Sequence, residues 1–334
     1  MENSRSSDRL SELPDSLIFN IFELLPMNDV VKTTILSKRW KDLWRTVPFL
    51  NFSDSPIGYE PDTTSIQDFV NRALILWRGS KILKFMIEFR SHHRHVFDDD
   101  LNVWVRWAKE RQVEEIHLSI IGWEPYQLPD CLYSCSSLKV LVLSLGDIRL
   151  WPPIDGNIKW DSLKSLTIDS DYFGLDPKFF NKALRGSPNL KVFNFTLYEL
   201  YSEVGNVFIQ SSSLKKLSIH KTFYQEDKEL EIVTPNLETL EISGYPYRRC
   251  VLSASSSLTD VTLRFHGNES LFAESFASWE HDFGETLSQI LPTIQHVERV
   301  KLSTPCIQVL ERTNKQHLLS RPYFIVKDPS SRVF

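Results

Sequence analysis

Apolar positions follow two periods along this chain, close to 3.6 residues near the N-terminus and close to 2 over most of the rest. Between residues 8 and 49, Leu17, Ile18, Ile21, Phe22, Leu24 and Leu25 recur at helical spacing, with Pro14 suited to the first turn and Pro26 as the stop. Asn28 or Asp29 can cap a second helix carrying Val30, Val31, Ile35 and Leu36. Ser37 can cap a third, carrying Trp40, Leu43 and Trp44 before Pro48. The first stripe is wider than one buried face needs. A module of about forty residues is also too small to bury every one of these side chains. Several should therefore face a partner, unless the module is an ordinary helical cap on the adjoining domain.

Particular residues favour the partner. Leu13-Pro14-Asp15-Ser16-Leu17-Ile18, then Ile21-Phe22-Glu23-Leu24-Leu25-Pro26, then the run from Leu36 through Trp40 to Trp44 stand in the order of an F-box, and the segment resembles one. The resemblance implies docking on a Skp-family adaptor and, through it, on a cullin–RING ligase. The family's adaptor-contacting pattern falls on Leu13, Pro14, Ile18, Ile21, Leu25, Pro26 and Trp40. Val30, Val31 and Leu36 match positions that are partly internal and partly interfacial.

Residues 53–65 break the periodicity with turn formers and are read as a linker. Ile66, Phe69, Val70, Ala73, Leu74 and Trp77 then predict one amphipathic helix. From there a hexad of the form L-x-x-L-x-L recurs, beginning at Leu138, Leu163, Leu190, Leu214, Leu237 and Leu258, with degenerate copies at 82–87, 113–118 and 297–302. The separations, 21 to 27 residues, are those of leucine-rich repeats. Each hexad predicts a short strand whose alternate large side chains enter a core. One strand cannot bury that face alone, so the copies must stack into a curved, mostly parallel sheet.

Return segments on the other side predict a helix capped by Asp98 with Leu101, Trp104, Val105 and Ala108 inside. Another opens at Asp176-Pro177 and stops at Gly186. Residues 198–211 read as irregular. The stripe Phe272, Phe276, Trp279, Phe283, with Leu287, Ile290 and Leu291 after it, predicts a core helix.

F-box then repeats resembles the plant-type F-box/leucine-rich-repeat receptors. The implied fold is a mixed α+β and α/β repeat architecture, a three-helix F-box followed by a leucine-rich-repeat solenoid. Its parts are a disordered start (1–7), the F-box (8–52), the linker (53–65), the solenoid (66–320) and a terminal cap or tail (321–334) with a strand-like stretch at 323–326. Many such relatives carry a further C-terminal domain; little remains here beyond Leu302, so that domain is expected to be absent or vestigial.

Outward strand positions should line the concave face: Lys84, Met86 and Glu88 on the first of these strands, and so on to Arg299, Lys301 and Ser303 on the last. The face is mostly small and polar, with a neutral cluster at Val140, Val142 and Val192. A protein substrate is expected there, with Lys216, His220, Arg264, Arg299 and Lys301 as candidate contacts. The basic tilt through Arg264, Arg299 and Lys301 suits an acidic or phosphorylated segment.

Composition narrows the rest. A formal charge of −5 and a pI near 6.0 supply no basic field for nucleic acid. The densest apolar run, 73–77, is too short to span a bilayer, and the polar start has no secretory h-region, so a cytosolic or nuclear protein is expected. Four cysteines fit a reducing compartment, and the C-x-x-x-C at Cys131 and Cys135 lacks the second pair of a zinc site. His92-His93-Arg94-His95 with Asp98 to Asp100 reads as a solvated loop. No phosphate-cradling glycine loop and no nucleophile–base set can be assembled, so neither cofactor nor catalytic residue is expected. Two classes fit what is left. One is the substrate-recognition subunit of a Skp–cullin–F-box ubiquitin ligase, and the other is a repeat scaffold that assembles through its F-box without ligase output.

Overall fold

A computed structural model describes residues 12–53, 63–90, 98–121, 128–145, 157–170, 177–197, 206–222, 229–253, 255–265, 276–318 and 324–325. Helices α1 (Asp15–Glu23), α2 (Met27–Lys32) and α3 (Lys38–Leu43) come first, then strand β1 (Phe49–Ser53). Pro14 lies just outside α1, with ψ of 147° and its carbonyl taking the N–H groups of Leu17 and Ile18. Pro26, not Asn28 or Asp29, holds the cap position of α2, because its carbonyl already receives Asp29 and Val30. Ser37 does cap α3, its hydroxyl accepting from the Trp40 N–H at 3.4 Å.

Strand β1 alters the expected boundary. Residues 49–53, read as the end of the F-box and the start of a linker, form the first strand of the large sheet and pair in parallel with β2 (Lys84–Arg90). Both α1 and α2 pack on β1, so the helical module and the sheet share one hydrophobic core. Between β1 and β2, helix α4 (Thr63–Leu76) begins inside the expected linker and buries Val70, Ala73, Leu74 and the adjacent Trp77. The Trp77 indole N–H donates to the Val47 carbonyl at 2.8 Å, tying α4 to the end of the helical module.

The hexads become strands as expected. After α5 (Asp98–Glu110) come β3 (Glu115–Ile121), β4 (Val140–Leu145) and β5 (Ser165–Ser170), then α6 (Pro177–Arg185), β6 (Val192–Leu197), β7 (Val207–Gln210), β8 (Lys216–Lys221), β9 (Glu229–Val233), β10 (Thr239–Gly244), β11 (Arg249–Leu252) and β12 (Asp260–Phe265). Helix α7 (Phe276–Thr293), β13 (Arg299–Leu302), α8 (Thr304–Arg312) and the two-residue β14 (Phe324–Ile325) finish the described chain. Eleven strands, ordered β1-β2-β3-β4-β5-β6-β8-β10-β12-β13-β14 among the described residues, form a parallel sheet. Register alignment puts Phe85, Ile116, Leu141, Leu166, Phe193, Leu217, Leu240, Val261 and Val300 in one buried row. Every strand in this run adds one large apolar side chain to that row, which is why no repeat is stable without its neighbours.

The turns before three of the hexads share one contact. Ser137 Oγ donates to the Val113 carbonyl, and the Asn189 and Asn236 amides donate to the carbonyls of Asp161 and Ser212, each at 2.7 Å. The acceptor lies one repeat earlier in every case. Ser and Asn recur there because a short polar side chain can satisfy a carbonyl the ladder leaves open.

Three strands depart from expectation. β7 lies within the segment read as irregular, and with β9 and β11 it forms a second parallel sheet, ordered β11-β9-β7, on the return side. Its strands alternate buried and exposed positions, as in Glu229-Leu230-Glu231-Ile232-Val233, but are only four or five residues long and lack the leucine hexad. Return helices bury the residues expected of them. Leu101, Trp104, Val105 and Ala108 are interior on α5, as are Phe180, Ala183 and Leu184 on α6. On α7, Phe283 meets Phe265 edge to face at 5.2 Å, while Leu287, Ile290 and Leu291 are buried. Gly244, at the end of β10, has φ of +90°, and a Cβ there would stand 1.9 Å from the Lys221 carbonyl oxygen. Lys221 is fully buried in a core slot, its ammonium 4.6 Å from the centre of the Tyr247 ring. The histidine run 92–95, Asp176, Phe272 and the segment 1–7 lie outside the described residues.

Candidate functional site

Two surfaces carry the expected site residues. On the helical module, α1 divides its apolar residues between two faces. Ile18 and Phe22 are buried, at 0% and 2% exposed, and Phe22 meets Trp40 edge to face at 5.4 Å. Leu17, Ile21 and Leu24, at i, i+4 and i+7, form a second stripe that remains 47%, 36% and 84% exposed. Ile35 and Leu36, in the turn after α2, are 86% and 49% exposed. Asp15 and Arg39 form an exposed ion pair between the start of α1 and α3.

Of the expected adaptor contacts, Ile21 and Pro14 are exposed and Leu13, Leu25 and Pro26 are half-buried. Ile18 and Trp40 are corrected. At 0% and 2% exposed they offer no surface and instead form the floor under the outer stripe. The outer residues Leu17, Leu24 and Ile35 were not among the expected contacts. Their signal was the width of the apolar stripe: a helix with one buried face does not need both Ile18/Phe22 and Leu17/Ile21/Leu24.

On the large sheet, burial alternates as the hexads require, and the partly exposed positions face away from the core. Lys84 pairs with Glu115 at 3.2 Å, and His117 Nε2 stands 2.6 Å from the same carboxylate. Burial pulls the His117 pKa down, with Glu115 acting against it. Asn194 donates to Thr167 Oγ1 at 3.2 Å, and His220 Nδ1 shares a 2.8 Å hydrogen bond with Ser243. Lys216 and Lys301 are exposed. The expected basic tilt is weaker than its residue types suggest. Arg264 lies 3.4 Å from Glu241, and Arg299 grips both oxygens of Asp260. The Arg299 hydrogen bond is the main cause holding the Asp260 carboxyl below its ordinary range. Ser303 is also corrected: only 4% exposed, it sits just past the end of β13 and its hydroxyl donates to the Phe265 carbonyl.

Residues 10–52 match the F-box domain model, and residues 101–273 match the model described as FBD-associated F-box protein At5g56370, LRR repeats. The chain belongs to the plant F-box/leucine-rich-repeat family. Its relatives include the F-box/FBD/LRR-repeat protein At5g56420 of Arabidopsis thaliana, 33% identical over 71% of this chain and 56% of that protein. The FBD-associated F-box protein At5g56370 of the same plant is 32% identical over 72% of this chain and 55% of its own length. The F-box/FBD/LRR-repeat protein At2g26030 is 27% identical over 92% of this chain and 70% of its own length. The chain thus spans a little over half the length of the first two relatives. No solved structure matches it.

Among the described residues, no group of three or more His, Cys, Asp or Glu is placed to hold a metal ion. Cys135, Cys250 and Cys306 are buried, and burial pushes the Cys250 thiol up to about 12. No described helix is long and apolar enough to cross a membrane.

Proposed function

We propose that this protein is the substrate-recognition subunit of a Skp–cullin–F-box ubiquitin ligase, and a non-catalytic one. The observation that carries the reading is the outer stripe Leu17, Ile21, Leu24, with Ile35 and Leu36, left uncovered on a segment that matches the F-box model. Large aliphatic side chains with this exposure, grouped on so small a module, mark a protein–protein contact. Burying Leu24 or Ile35 on a partner contributes on the order of 1.5–3 kcal/mol for each side chain.

A Skp-family adaptor covers this stripe and links the chain to a cullin. The solenoid holds the target, and the shared core between α1, α2 and β1 keeps the two ends in a fixed relation. Tethering raises the effective concentration of target lysines beside a charged conjugating enzyme, so the chain contributes proximity while other subunits transfer ubiquitin. Such an assembly operates in the cytosol or nucleus.

Co-expression of the full chain with a plant Skp-type adaptor and a cullin tests this. Both should co-purify with the chain, and a Leu13→Ala/Pro14→Ala double variant should weaken capture. Recovery of neither partner sinks the reading. Recovery of the adaptor without the cullin points instead to a scaffold without ligase output.

A further inference from the structure

Four successive strands of the large sheet are each preceded by a lysine: Lys139 before β4, Lys164 before β5, Lys191 before β6 and Lys215 before β8. Their backbones are hydrogen-bonded in line, Lys164 N to Lys139 O at 2.8 Å, then Lys191 N to Lys164 O and Lys215 N to Lys191 O at 2.9 Å. The line continues to Glu114 at one end and Glu238 at the other. With strands about 4.8 Å apart, the four lysines leave the sheet edge within a stretch of about 14 Å.

Their partners are uneven. Glu114 takes Lys139 at 2.7 Å and also Lys81, and Glu238 takes Lys215 at 2.6 Å. Lys164 and Lys191, both exposed, have no carboxylate partner among the described residues, and Lys191 reaches only the Ser213 carbonyl at 3.4 Å. Between them opens a cleft of about 450 Å³ lined by Lys139, Asp161, Ser162, Lys164, Asn189 and Lys191. The backbone N–H groups along the line are already donating, and the Asn189 amide donates to the Asp161 carbonyl. Binding there falls to the ammonium groups and the Ser162 hydroxyl, against the exposed Asp161 carboxylate in the same lining, which the lysines outnumber three to one.

We propose that this cleft binds the anionic side chains of an extended peptide segment from a partner protein. Like charges side by side on adjacent strands repel, and an anion lying across them removes the repulsion. An extended peptide presents same-face side chains about 7 Å apart, so two anionic residues separated by one neutral residue fit between Lys139 and Lys191. Nucleic acid fits poorly. Its charge would continue in line onto Glu114 and Glu238, and a chain of net charge −5 offers no wider basic field. The site is separate from the Arg264, Arg299 and Lys301 end of the sheet, and it does not depend on adaptor docking.

Fluorescence anisotropy with the full chain at about 0.15 M salt tests it. The probes are fluorescein-labelled peptides with phosphoserine, glutamate or serine alternating with glycine, and an oligothymidylate of matched charge. The phosphoserine and glutamate peptides should bind saturably, the former more tightly, and the serine peptide should not. Lys164→Glu/Lys191→Glu should weaken binding at least about tenfold and Lys164→Gln/Lys191→Gln several-fold. Arg299→Glu/Lys301→Glu, the same charge change elsewhere, should stay within about twofold. Absence of saturable peptide binding, equal loss in the Arg299/Lys301 control, or oligothymidylate binding as tight as the phosphopeptide overturns the proposal.

Discussion

The helical module and the outer face of the large sheet both present side chains to solvent, but in opposite chemical states. On α1 and the turn after α2, the exposed groups are Leu17, Ile21, Leu24, Ile35 and Leu36, which no described residue covers. On the sheet, the outward groups are mostly polar and many already satisfy one another, as Arg299 does Asp260 and Lys84 does Glu115. An uncovered apolar stripe gains free energy only by being covered, so it announces a partner. A charged strand face is stable in water as it stands. It therefore says little about what binds it unless, as at Lys164 and Lys191, the charges are left unmatched.

The largest effect separates floor from surface. Trp40→Ala should destabilise the protein by about 3–5 kcal/mol, read by denaturant unfolding, because it empties the space against Phe22. Any loss of adaptor binding in that variant would result from the lost fold. Ile18→Val, which keeps the floor, should cost about 0.5–1.5 kcal/mol and leave adaptor affinity within a few-fold. A large loss of affinity without loss of stability in Ile18→Val would return Ile18 to the contact surface.

Gly244→Ala tests the sheet side of the comparison. With φ of +90° and the Lys221 carbonyl in the way, it should cost about 1–3 kcal/mol in a melt while adaptor binding at 25 °C stays unchanged. On the outer face, Arg299→Glu/Lys301→Glu should leave adaptor binding intact and reduce capture of a protein target modestly, measured by pull-down. Unchanged capture removes that end of the face from consideration.

The smallest effect is in pH. Hydrogen bonds from Lys139 and Lys81 hold the Glu114 carboxyl below its ordinary range. A depressed folded-state pKa adds stability that is complete above the unfolded carboxylate value and is lost as pH falls through the folded one. Melting temperatures taken between neutral and acid pH should therefore fall slightly less steeply in Glu114→Gln than in the wild type.

Much of the fold is legible in the chain because the hexads repeat a strong period-2 signal with a fixed turn before each copy. The side chains of Ser137, Asn189 and Asn236 give that turn a structural reason. The return-side sheet was not legible. Four residues such as Arg249-Cys250-Val251-Leu252 alternate too briefly to stand out, and they become a strand only because β9 lies beside them. β1 was hidden for a similar reason, since Phe49 to Ser53 comes directly after the helical module and finds its partner in β2. At the site, helical spacing identified an over-wide stripe on α1 but not which half faces inward. That choice depends on tertiary packing, such as Trp40 against Phe22 and α1 against β1. Residue types alone likewise overstated the basic tilt, because Glu241 and Asp260 reach their arginines from neighbouring strands.

The central claim is that the outer half of α1 is the adaptor-binding surface. Its most direct test is calorimetric titration of a Skp-type adaptor into the wild type and into Leu17→Asp/Leu24→Asp, with melts of both. The account predicts affinity weakened at least about a hundredfold, since two exposed leucines that the adaptor would cover are replaced by charge, and stability changed by no more than about 0.5 kcal/mol. Equal affinity of the two proteins would contradict it.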